Sequence, residues 1–86
     1  MISSSQIRAA RALLNWSGAD LAEKCGISLK TLRRYEPQEG IPSGNTTVLM
    51  EIKRVFELEG IEFTGDPMVN PGVTLHVNHP SRRASD

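Results

Sequence analysis

The chain has one cysteine, one tryptophan, one tyrosine, two phenylalanines and no excess of charge of either sign, and each shortage removes a class of protein. The lone Cys25 cannot close a disulfide within the chain, and no Cys/His cluster offers four zinc ligands. A core built from 86 residues must therefore hold without a staple, and the expected compartment is a reducing cytoplasm. No apolar run approaches the roughly 18 residues of a membrane span. Met1 and Ile2, followed by Ser3, Ser4 and Ser5, lack the basic and then apolar regions of an export signal, so a soluble, unexported protein is expected. Aromatics at 5% and apolar residues at 38% suit one small core rather than a large cavity lined by a second layer of elements. No Ser/His/Asp or Cys/His spacing points to a nucleophile, and no Gly-rich phosphate loop follows a strand. Neither catalysis nor a cofactor is expected.

Ten basic and ten acidic side chains cancel in bulk, but not in place. Residues 1–36 carry six basic and three acidic side chains, whereas residues 37–67 carry two and six. Such a bipolar chain suggests that its first half meets an anion and its second half something else, a basic protein partner being one reading.

Periodicity and stop signals predict four helices. The first begins at the Ser cluster, where Ser3 and Gln6 have capping-box spacing; it places Ile7, Ala10 and Leu14 on one face and closes at a left-handed Asn15. Ser17 caps the second, which turns Leu21, Ala22 and Cys25 inward and ends at Gly26. Ser28 caps the third, over 28–36, with Thr31, Leu32 and Tyr35 inward and Pro37 forbidding continuation. After a loop rich in Gly and Pro, Asn45 or Thr46 starts a fourth helix that runs to about Glu59 on a stripe of Val48, Leu49, Ile52, Val55 and Phe56. Residues 61–63 and 73–77 then alternate with period two around turn formers, which predicts a two-stranded ribbon. An isolated hairpin is marginal in water, so the ribbon must pack on the helices or pair with a second chain, through Phe63, Val73, Leu75 and Val77; either the ribbon or the fourth helix is expected to join two copies. The expected organisation is a domain over 1–60, a ribbon over 61–78 and a disordered tail over 79–86. Cys25, Trp16, Tyr35 and Phe56 read as core residues. His76 and His79 lack a third ligand, and no metal is expected.

The segment Leu21 to Leu32 carries the strongest signal. Ala22 is small enough for two helices to cross closely, Gly26 frees the backbone between them, and Ile27 and Leu32 seal the crossing. A short third helix would then stand clear of the body, thin enough for a DNA major groove about 12 Å wide. With Thr31, Leu32 and Tyr35 inward, Leu29, Lys30, Arg33 and Arg34 face out. The three cations fit the acceptors of guanine, although on an arbitrary helix they would be a solvated face; Leu29 fits a thymine methyl or, equally, packs at the rim of the core. Arg8 and Lys24, with Ser17, Ser28 and Thr31 near helix starts, suit phosphates, which hold register but read no sequence.

Residues Gln6 to about Phe63 resemble the lambda-repressor/Cro type of helix-turn-helix domain, the XRE family, through Ser17, Leu21-Ala22, Gly26-Ile27-Ser28, Thr31-Leu32 and Glu36. The resemblance implies a mainly α, four-helix bundle, here with a C-terminal β ribbon, that binds operator DNA as a two-fold dimer and regulates transcription, usually as a repressor. It also implies a structural ion pair between Arg11 and Glu36. Two departures stand out: Gly18 occupies a position where the family commonly has a phosphate-binding Gln, and the loop 37–44 holds Glu39 and no base. The rival expectation is a protein-binding module, such as a toxin-neutralising antitoxin or an anti-repressor.

Overall fold

The computed structural model describes residues 1–77, so the expectations for the tail and for His79 lie outside it. Four helices precede an antiparallel ribbon: α1 Ser4–Leu14, α2 Gly18–Cys25, α3 Leu29–Tyr35, α4 Thr46–Leu58, β1 Ile61–Thr64 and β2 Gly72–Leu75. The helix starts follow local chemistry. The Ser3 hydroxyl accepts from the Gln6 amide while the Gln6 side chain accepts from the Ser3 amide; Ser17 and Asp20 repeat this box at α2. Ser28 and Asn45 cap α3 and α4. Asn15 closes α1 at φ 58°, in the left-handed region where Asn substitutes for Gly.

The core is one cluster in which Ile2, Ile7, Leu21, Leu32, Ile52 and Phe56 are fully buried. Each such side chain contributes about 1.5–3 kcal/mol relative to exposure. Trp16 stacks on Phe56 with ring centroids 5.7 Å apart, and Phe63 meets the same ring edge-on at 6.0 Å.

The ribbon differs from expectation in extent, and of its two expected placements it takes the one on the helices. Ile61 pairs with Leu75 and Thr64 with Gly72, so the second strand starts one residue earlier and stops two residues sooner than the sequence pattern indicates. The cause is that β1 begins only at Ile61; beyond Leu75 the His76 amide donates to the Gly60 carbonyl at 2.8 Å, outside the strand, while its ring meets Glu62 Oε1 at 2.7 Å. Phe63, Val73 and Leu75, expected to offer a pairing surface to a second chain, are half-buried against the core of their own bundle, and of that set Val77 alone is exposed. A buried Gln6 enforces this, its Nε2 donating to the Thr64 carbonyl at 3.3 Å and the Gly72 carbonyl at 3.0 Å.

Candidate nucleic-acid interface

α2 and α3 are joined by Gly26-Ile27-Ser28. Gly26 adopts φ 68°, and a methyl at that position would meet nothing within 4 Å, so conformation alone demands glycine there. The Gly26 amide donates to the Glu23 carbonyl at 3.2 Å and the Ile27 amide to the Ala22 carbonyl at 3.0 Å, closing α2 while Ile27 drops onto the core. α3 is thus a seven-residue rod with Leu32 and Tyr35 buried and Thr31 half-buried.

On its outer side Lys30, Arg33 and Arg34 are exposed, and none of the ion pairs among the described residues engages them. Three uncommitted cations therefore share one face. Of the two places open to Leu29 it takes the rim: it is half-buried and packs at the edge of the core. Gly18 explains why. A Cβ there would lie 3.3 Å from Leu29 Cδ1, so the side chain that Gly18 lacks is replaced by Leu29 folding inward from α3.

The side chains expected at phosphates are more committed than the sequence indicates. Ser17 Oγ accepts from the Asp20 amide at 3.0 Å, and Ser28 Oγ accepts from the Thr31 amide at 3.0 Å while pairing with Thr31 Oγ1 at 2.9 Å. Hydrogen bonds from the Ser17 amide and hydroxyl hold the Asp20 carboxyl below its ordinary range, with nearby Lys24 adding to the effect, so α2 carries its own negative charge at its N-terminus. The Lys24 ammonium lies 5.1 Å from the Trp16 ring centroid, a cation–π contact that leaves it exposed. Arg8 Nη1 donates to the Glu36 carbonyl.

Below α3, Arg11 Nε and Glu36 Oε2 stand 2.7 Å apart, and Arg11 Nη1 also donates to the Trp16 carbonyl at 3.0 Å. Tyr35 Oη accepts from the Asn45 amide at 3.0 Å, tying the end of α3 to the start of α4. Sequence reasoning missed the buried Ser4, whose hydroxyl donates to the Tyr35 carbonyl at 2.5 Å, and Gln38, which donates to the Arg34 carbonyl. Its only trace in the sequence is the Ser cluster before Gln6, which serves a helix cap equally well.

Two helices crossing at a glycine turn, with the second presenting a cationic face, define a helix-turn-helix protein. A family model confirms the class: residues 7–51, more than half of the chain, match the Helix-turn-helix model HTH_3, and the chain belongs to this family of XRE-type DNA-binding domains. None of the curated proteins matches the sequence. Among the described residues no helix is long and apolar enough to cross a membrane.

Proposed function

We propose that this protein is a sequence-specific DNA-binding regulator of transcription that acts as a repressor. The observation that carries the reading is the cationic outer face of α3, engaged by none of the ion pairs among the described residues and mounted on a helix-turn-helix crossing. α3 enters the major groove, Lys30, Arg33 and Arg34 meet base edges, and Leu29 serves the packing beneath them. Lys24 lies against phosphate. Bound at the promoter, the protein would then exclude polymerase.

The regulator works as a two-fold dimer, which sets two reading helices about 34 Å apart on one face of the duplex. The surface that suits a second copy is α4. Met1 and Met50, both exposed, flank an open groove of about 840 Å³ whose other lining residues include Lys53, Arg54 and Glu57. Arg54 is held by Glu51 of its own helix, but two copies related by a two-fold axis could set Lys53 of each groove against Glu57 of the other, the reciprocal pattern of an isologous contact. Sedimentation at micromolar concentration tests this, a monomer counting against it.

The deciding experiment is an electrophoretic mobility shift on the protein's own promoter at two salt concentrations. A phosphate-contacting protein loses affinity steeply, log Kobs falling against log salt with a slope of about −0.9 per phosphate. Binding that is absent or indifferent to salt overturns the reading. It would favour a protein-binding module, for which the acidic residues of 37–67 would be the surface that meets a basic partner.

A further inference from the structure

A helix that ends without a left-handed glycine leaves carbonyls to be satisfied by other means. α3 is such a helix: Glu36 at its C-cap keeps right-handed backbone angles (φ −69°, ψ −37°) and Pro37 follows. Three successive carbonyls at this end are each met by a side chain. Gln38 donates to Arg34, Ser4 Oγ to Tyr35 at 2.5 Å and Arg8 Nη1 to Glu36. Two of these donors come from the first two turns of α1. Ser4 is fully buried, and its amide also donates to the Gly40 carbonyl at 2.9 Å, so a single residue grips both the last turn of α3 and the loop beyond it.

We propose that Ser4 and Arg8 are positioning residues that fix the pose of the cationic face of α3, and that Arg8 acts through this clamp rather than as a phosphate contact. The inference rests on the DNA-binding reading above. Arg33 and Arg34 sit in the last turn of α3, within a residue or two of the clamped carbonyls, so a slack end moves both guanidinium groups. Base recognition depends on their direction, since a bidentate contact tolerates little rotation, whereas attraction to the phosphate backbone depends only on their charge. Loosening the clamp therefore lowers discrimination and spares non-specific binding.

The test uses the full chain with Ser4→Ala, which leaves the Ser3–Gln6 capping box in place, and Arg8→Ala. Binding is measured to a duplex selected from a randomised library and to an unrelated duplex, each across a salt series; exchange of the Glu36 amide is followed without DNA. Both variants are expected to lose about tenfold in the ratio of the two affinities, equivalent to one hydrogen bond, with the salt slope unchanged and Glu36 exchange accelerated. Wild-type ratio and exchange in Ser4→Ala overturn the proposal. So does an Arg8→Ala protein that binds both duplexes more weakly by the same factor with a slope smaller by about one, the signature of a lost phosphate contact. Should Ser4→Ala not fold, Arg8→Ala, whose side chain is exposed, decides alone. Should the wild-type protein bind no duplex, the DNA-binding reading fails, and the clamp stands or falls on Glu36 exchange.

Discussion

Gln6 holds Gly72. The amide of a residue in the first turn of α1 donates at 3.0 Å to the first residue of β2, while the same Nε2 lies 3.3 Å from the Thr64 carbonyl across the ribbon. Gln6 Oε1 meanwhile accepts from the Ser3 amide at 2.9 Å. One buried side chain thus joins the helix cap to both strands. Gln6→Ala leaves those groups unpaired and is expected to cost about 1–3 kcal/mol. Thermal unfolding should report a fall of about 4–8 °C per kcal/mol, and amide exchange should accelerate first in 61–75. Uniform acceleration across the chain would show instead that the ribbon is not a separately held unit.

How much of this was legible in the sequence depends on the range of the interaction. Ser3, Asn15, Ser17, Gly26 and Ser28 announce helix ends because capping acts over two to four residues, and the structure places ends at each. The crossing of α2 and α3 was readable for the same reason. Leu29 was left open between a base and the rim of the core because helical spacing assigns a direction but not what fills the space: the vacancy beside Gly18, eleven residues away, draws it inward. The ribbon's docking was left open between cis and trans because Gln6 meets Gly72 across 66 residues, beyond any local pattern. Arg8 read as free because nothing near it in the sequence names the Glu36 carbonyl as its partner.

The start of α2 makes stability depend on acid pH. The Asp20 carboxyl, lowered from 3.8 by the Ser17 amide and hydroxyl, stabilises the fold when ionised. A group depressed in the folded state contributes fully above its unfolded value and loses that contribution as pH falls through its folded value. Asp20→Asn should therefore melt slightly below wild type at neutral pH, and the gap should close as the pH drops below 3.8. A gap that persists there would mean that the hydrogen-bond geometry, not the charge, is what matters.

Cys25 should be inert in the native protein. Burial, reinforced by the nearby Glu51 carboxylate, pushes its thiol up from 9.0 to about 11. At pH 8 the thiolate is then about a thousandth of the total, and iodoacetamide should modify folded protein at least ~10-fold more slowly than urea-unfolded protein. Because the folded state holds this proton longer than the unfolded chain, stability should also decline as pH rises from 9.0 towards 11. Equal alkylation rates in the two states would remove both expectations.

Leu29 and Arg34 lie five residues apart on one short helix, yet the first is half-buried and the second exposed. Leu29 is half-buried beside Gly18 and Leu32, so Leu29→Ala should cost about 1–2 kcal/mol of stability and leave the ratio of cognate to unrelated binding near wild type. Arg34 is exposed and outside every ion pair among the described residues, so Arg34→Ala should leave the melting temperature almost unchanged. If its guanidinium meets a base edge, the loss is about 1–3 kcal/mol of discrimination, a ratio lower by roughly 5- to 150-fold. Melting curves and competition binding on the two variants form a crossed design in which each serves as the other's control. A footprint unchanged by Arg34→Ala removes that residue from base reading, and a lost ratio in Leu29→Ala at full stability would return Leu29 to the DNA surface.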